Sequence, residues 1–280
     1  MKLSGQAMVL LNPDPILQQR IQQQWPTAQA AGHFFALPGL SGNSVRVKTE
    51  QGELLARRAP QQPLPFVDRQ REYRILRRMR AAQLGPTPLD WHHPWLLQSW
   101  LPGEVLTPEQ FNQQRDAVLA LLHRLHQQPL TGYRLRLTPL LQHYWQLCQQ
   151  RHWRWQHQLQ RLIRQGEPRP LRLVPIHMDV HAGNVIATSD GLRLIDWEYS
   201  ADGDVALELA ALCAVDGEHP IDWIAGYAQR SQLDEARLKR HMRRWQPWLH
   251  LLMASWYQLR AEQSGDPHLQ QLAQASWQDL

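Results

Sequence analysis

Between His177 and Glu198 the chain places side chains of the right type and spacing for chemistry at phosphorus. His177-Met178-Asp179-Val180-His181-Ala182-Gly183-Asn184 sets a carboxylate and an amide in the order His-x-Asp-x-x-x-x-Asn, and Leu194-Ile195-Asp196-Trp197-Glu198 adds a second carboxylate behind an apolar run. Phosphoryl transfer to an alcohol needs a hydroxyl positioned and relieved of its proton, phosphate charge neutralised, and the nucleotide held in line. Asp179 suits the first task. Asn184 and Asp196 suit the second, because their oxygens are hard ligands and Mg²⁺ takes a few protein oxygens beside phosphate and water. Gly183 permits a tight backbone approach, and His177 reads as a loop-holding imidazole rather than an acid–base group. Zinc is the rival reading, with His177 and His181 four apart, but it needs a helix where Gly183 argues against one.

These groups require elements to hold them. Ile16 to Trp25 reads as a short helix. Ser44 to Thr49 and Leu54 to Arg58 read as strands around a Gln51-Gly52 turn, preceded by the small-residue loop Ser41-Gly42-Asn43-Ser44, whose backbone N–H groups suit phosphates. A cation for the phosphates is expected on the following strand: Arg58, which shares a face with Leu54 and Ala56, with Lys48 as second choice, and Arg57 if the register is reversed. Glu72 is placed to orient that cation from the helix over Asp68 to Ala82. Gly85 to Pro88 ends this helix, and Trp95 to Trp100 reads as a strand. From Thr107-Pro108, a helix start with Thr as N-cap, the chain turns helical: to about His126, from Leu140 to Arg164, from Asp204 to Ala214, and over most of Pro220 to Trp277. Short strands near Val174 to Ile176 and Leu192 to Ile195 interrupt it. A β-rich first third and a helical remainder predict an α+β chain of two lobes: residues 1–97, a hinge at 98–103, and residues 104–280.

Composition narrows the setting. In 280 residues, 43% hydrophobic, a substantial core is possible. No apolar run is long enough for a membrane span, and no secretory leader is evident at Met1. Cys148 and Cys213 are the only cysteines, which favours a reducing, cytoplasmic location. The net charge of +5 is carried almost wholly by arginine. Arg151 to Arg172, basic with interleaved tryptophans, raises the alternative of a nucleic-acid-binding module; the competing reading is an amphipathic helix with a buried tryptophan face. The sequence leaves oligomeric state open.

With these residues in view, the chain resembles the aminoglycoside phosphotransferase and choline kinase family from about Phe34 to Trp277, most strongly over Pro175 to Asn184 and Leu194 to Tyr199. The resemblance implies a protein-kinase-like two-lobed fold, with a small β-rich N-lobe and a larger helical C-lobe. It also implies ATP as donor, Mg²⁺ as cofactor, Asp179 as catalytic base, Asn184 and Asp196 as metal ligands, Asp204 as structural support, and Gln98 to Trp100 at the adenine hinge. Leu125 to Pro129, Glu167 to Leu173, Gly203 to Ala210 and Arg243 to Trp248 are similar to the branch that phosphorylates thiamine on its hydroxyethyl group. Another small cationic alcohol, choline or an aminoglycoside, is the alternative acceptor. Trp197, Glu198 and Tyr199, beside Asp196, are the candidate contacts for a cationic substrate. The family's usual N-lobe lysine is an arginine here, and the two differ in geometry toward phosphate.

Overall fold

In a computed structural model, residues 14–25, 33–36, 44–49, 52–216 and 220–278 are described. The chain forms two compact units, one of Met1–Val105 with Val185–Glu198, the other of Leu106–Asn184 with Tyr199–Leu280.

In the first unit, Asp14 caps helix α1 (Pro15–Gln24), with Pro15 at its first turn. An antiparallel sheet follows, built from β1 (His33–Ala36), β2 (Ser44–Thr49), β3 (Gly52–Arg58), β4 (Pro88–His92) and β5 (Trp95–Ser99) in the order β1-β2-β3-β5-β4. Alternation along β2 and β3 sends Val45, Val47, Leu54 and Ala56 to one face, where they pack with Trp95, Leu97 and the α1 residues Leu17 and Ile21. Helix α2 (Arg69–Met79) starts at Asp68, whose carboxylate accepts from the Gln70 and Arg71 N–H groups, and it ends in a short 3-10 turn over Arg80–Ala82. A small sheet of β6 (Glu104–Val105), β8 (Val185–Thr188) and β9 (Gly191–Leu194) completes the unit. The Leu194 N–H donates to the Leu84 carbonyl at 2.8 Å, which ties β9 to the connection after α2.

The second unit is helical, with one two-stranded ribbon, β7 (Leu173–Ile176) paired antiparallel with β10 (Ala201–Asp204). The helix expected from Thr107 to His126 is two, α3 (Pro108–Gln113) under a Thr107 capping box and α4 (Arg115–His126), because Gln114 leaves helical geometry at φ −96°, ψ 23°. The stretch expected from Leu140 to Arg164 is likewise split into α5 (Leu137–Leu147) and α6 (Trp153–Gln165), with Cys148 extended and His152 capping α6. Then come α7 (Val205–Asp216), α8 (Pro220–Ser231), the 30-residue α9 (Glu235–Ser264) and α10 (Pro267–Gln278). The basic α6 buries Trp155, Leu159 and Leu162, and Trp155 stacks on Trp277 at 4.7 Å. Of its two tryptophans, Trp155 thus serves the core, while Trp153 is 68% exposed. Among the described residues no helix is long and apolar enough to cross a membrane.

The expected α+β architecture, β-rich first and helical after, is thus present. Strand β10 was not expected: Ala-Asp-Gly-Asp is poor strand sequence. It pairs because Gly203 lets Ile176 approach where a Cβ would collide with that side chain, and because Asp202 and Asp204 each find backbone donors.

Candidate active site

In the first unit the register of β3 decides which arginine faces the chemistry. The face holding Leu54 and Ala56 is core, so Arg58, at its edge, lies 40% exposed, 4.0 Å from Asp14 and near the Trp95 ring. Arg57 projects from the opposite face and is 3% exposed. Its Nη1 donates to Glu72 Oε1 at 2.6 Å, and its Nη2 donates to Asp196 and, at 3.0 Å, to Glu198 Oε2. The expectation for Arg58 is corrected on this point: Glu72 orients Arg57. Lys48 instead pairs with Glu53 at 3.2 Å.

Glu198 is drawn into the same cluster. Arg69 Nη1 donates to its Oε2 at 2.8 Å and to Glu72 Oε2 at 2.7 Å, while Arg71 Nη2 donates to the Glu198 carbonyl at 2.6 Å. Burial pushes the Arg57 guanidinium down, but Glu72, Asp196 and Glu198 more than offset this and hold it above its ordinary value. Burial and then the Asp196 charge push the Glu198 carboxyl up, against the pull of Arg57 and Arg69. The carboxylates of Glu72, Asp196 and Glu198 thus meet the guanidiniums of Arg57 and Arg69, and Asp196, with its side chain 37% exposed, is the open edge of that cluster. A hard divalent cation fits such an edge.

Trp197 and Glu198 are 1% and 6% exposed, so neither is a substrate contact as expected from their neighbourhood. Trp197 Nε1 donates to the Leu194 carbonyl at 2.9 Å and packs where a Cβ on Gly85 would strike it. Burial takes both side chains inward. Ser44 opens β2, while Ser41, Gly42 and Asn43 lie outside the described residues. Trp100 is covered by the Arg46 guanidinium, 4.1 Å from the ring centre.

In the second unit the loop after β7 carries Asp179 beyond Met178, which sits in left-handed backbone at φ 66°. A non-glycine residue holds that conformation at a cost and needs its surroundings to fix it. Glu208, 1% exposed on α7, supplies the constraint: its Oε2 accepts the His177 N–H and its Oε1 the Met178 N–H, both at 2.7 Å. The His126 Nε2–H donates to Glu208 Oε2 at 3.3 Å. In that tautomer Nδ1 accepts from the Tyr227 hydroxyl at 2.6 Å. Burial pushes the Glu208 carboxyl up, but His126 and His177 outweigh it and leave the group below its ordinary range.

Asp179 is therefore aimed by a buried chain of three side chains on three helices, to none of which the sequence assigned a role, although His126 and Glu208 fall in segments that carry the family resemblance. The one available signal was a glutamate set in the otherwise apolar run of α7. Asp179 itself is 35% exposed by its side chain. Asn184 Nδ2 donates to both the Asp179 carbonyl at 2.9 Å and Asp179 Oδ2 at 2.7 Å, which turns the Asn184 amide oxygen away from Asp179. An amide oriented this way fits a metal ligand. Among the described residues no group of three His, Cys, Asp or Glu could hold a metal by itself. The zinc arrangement also fails locally, since His177 is fully buried and Ala182–Asn184 is a short 3-10 turn.

Asp204, expected as a support, accepts from the Leu171, Arg172 and Ala206 N–H groups and from Trp245 Nε1 at 2.7 Å. Tyr199 stands apart from its two predecessors: its hydroxyl accepts from Trp256 Nε1 at 2.9 Å. Next to Trp256 on α9, Tyr257 has its phenol pushed up by burial and then by the Asp179 charge, which puts it in the field of that carboxylate. Trp256 and Tyr257 were not singled out in the sequence.

The sequence profile of the phosphotransferase enzyme family matches residues 36–248, most of the chain. The chain belongs to this phosphotransferase family. Curated relatives include the thiamine kinase of Escherichia coli O157:H7, 42% identical over 245 residues, covering 86% of this chain and 88% of the relative. The thiamine kinase of Shigella dysenteriae serotype 1 (strain Sd197) matches at the same identity and coverage. Among solved structures, the choline kinase LicA from Streptococcus pneumoniae superposes with a TM-score of 0.74 at 16% identity, covering 95% of this chain and 98% of that one. The gentamicin–APH(2")-IIa complex superposes at 0.67 and 14%, covering 97% and 98%. At these identities the structural likeness establishes the fold of the phosphotransferase, while its site rests on the geometry above.

Proposed function

We propose that this phosphotransferase transfers the γ-phosphoryl group of ATP to the hydroxyethyl oxygen of thiamine, giving thiamine monophosphate and ADP. The observation that carries the reading is Asp179, a partly exposed carboxylate held in one orientation by Asn184 and by the Glu208-fixed backbone before it. The 42% identity to thiamine kinases across most of both chains supports the choice of acceptor.

Asp179 accepts the hydroxyl proton as the oxygen bonds to phosphorus and the bond from phosphorus to the departing ADP oxygen breaks. Asn184 and Asp196 are the protein oxygens for Mg²⁺, which when bound neutralises phosphate charge. Arg57 holds Asp196 in place and keeps positive charge beside it. Gln98 to Trp100, in the 98–103 hinge of this reading, hold the adenine. Tyr199, Trp256 and Tyr257 supply aromatic faces for the thiazolium cation, a contact worth about 0.5–2 kcal/mol. The two free cysteines, Cys148 with its thiol pushed up to about 12 chiefly by burial, suit a cytoplasmic enzyme.

Steady-state comparison of acceptors tests the assignment. With MgATP, thiamine is expected to give a kcat/KM at least about 10-fold above choline, ethanolamine or gentamicin, the ratio that about 1.4 kcal/mol of preference produces. A higher value for any of those three would replace thiamine as the acceptor.

A further inference from the structure

The sheet face opposite the α1 core carries Arg57 and Leu55 on β3 and Leu96 and Gln98 on β5, with Arg57 paired to Leu96 and Leu55 to Gln98. Gln98 is therefore a diagonal neighbour of Arg57, about 7–8 Å along the sheet. It is 2% exposed, and its side-chain Oε1 has no hydrogen-bond partner. A buried amide oxygen without a donor is costly to maintain. Nothing in the packing calls for one, because the residues before it on β5, Leu96 and Leu97, are apolar and fully buried. β5 ends one residue past Gln98, at Ser99, whose Oγ accepts the Thr87 N–H at 2.9 Å, and Gly103, at φ 149°, presses against the Ala187 carbonyl where a Cβ has no room. The amide thus presents an unpartnered acceptor near the end of β5, on the same face as the arginine of the Asp196 cluster.

We propose that Gln98 selects the base of the nucleotide, its Oε1 accepting from the N6 amino group of adenine and its Nε2–H donating to N7. This inference rests on the ATP-dependent reading above and adds to it a side-chain contact that discriminates purines. Adenine offers one donor and one acceptor along that edge, matching an amide; guanine offers O6 and N7, both acceptors, and leaves Oε1 facing another oxygen. A good bidentate amide–adenine pair corresponds to about 5–150-fold discrimination.

The test is equilibrium binding of ATP, GTP and 7-deaza-ATP to the full chain with Mg²⁺, read by calorimetry, for wild type and Gln98→Met. Methionine keeps the length and removes both polar groups. Wild type is expected to bind ATP at least about 5-fold tighter than either GTP or 7-deaza-ATP. Gln98→Met is expected to bind ATP and 7-deaza-ATP equally, to lose most of the ATP-over-GTP preference, and to melt at a higher temperature than wild type without nucleotide, because the orphaned oxygen is gone. Gln98→Glu, which keeps the shape but presents two acceptors, is expected to weaken ATP and leave 7-deaza-ATP less affected. Wild type binding 7-deaza-ATP as tightly as ATP, or variants with an unchanged ATP-to-GTP ratio, would overturn the role of Gln98 while leaving the kinase reading intact. Failure of every nucleotide to bind wild type would overturn both.

Discussion

Asp179→Asn is expected to lower turnover by about 10²–10⁴-fold, the contribution of a positioned proton acceptor. The substitution is nearly isosteric, and an amide oxygen at the Oδ2 position can still accept from Asn184 Nδ2, now at 2.7 Å. The backbone is fixed independently, by Glu208 on the His177 and Met178 N–H groups. Fold and nucleotide affinity should therefore persist while the proton of the acceptor hydroxyl loses its destination. Rapid-quench or coupled assays give kcat, and calorimetry gives the affinity for MgADP. A variant within about 3-fold of wild-type kcat, far short of the loss of a general base, removes Asp179 from the chemistry.

Arg57→Met is expected to destabilise the first unit by about 3–5 kcal/mol, the usual consequence of removing one partner from a buried ion pair. The magnitude follows from what remains. Glu72 has no exposed side-chain surface and Glu198 only 7%, so water cannot replace the guanidinium; Arg69 alone would face both, and Asp196 would lose its anchor. Arg57→Lys should recover only part of the loss, because a single ammonium cannot bridge Glu72 on one side and Asp196 with Glu198 on the other as the two guanidinium nitrogens do. Urea denaturation followed by tryptophan fluorescence measures the effect. A loss below about 1 kcal/mol, the range of exposed pairs, would mean that the cluster is hydrated and not the buried anchor described here.

The contrast between Arg57 and Arg58 shows where sequence stops. Residue type and spacing are enough to single out Asp179, Asn184 and Asp196 as candidates, because metal ligation and proton abstraction demand particular side chains close together in the chain. Choosing between adjacent arginines required knowing which face of β3 is core, and that is set by Leu17 and Ile21 of a helix more than thirty residues upstream. Adjacency misled at Trp197 and Glu198 for a related reason: a one-residue step from Asp196, at φ 63°, is enough to turn the following side chains inward. The chain of Tyr227, His126 and Glu208 was invisible because its members are local to nothing but each other. Each sits on a different helix, and a histidine on a helix reads as ordinary until its partners are found. The architecture was more legible, since hydrophobic periodicity and a cap such as Thr107 mark elements locally, whereas the breaks at Gln114 and Cys148 carry no proline or glycine to announce them.

Phosphorus NMR of the reaction between MgATP and thiamine tests the central claim most directly. The γ-phosphate signal of ATP should disappear in step with the growth of ADP and of a single phosphomonoester coupled to the hydroxyethyl methylene of thiamine, and Asp179→Asn should leave the spectrum essentially unchanged over the same interval. Inorganic phosphate as the sole new species, or the same monoester formed at an undiminished rate by the variant, would contradict it.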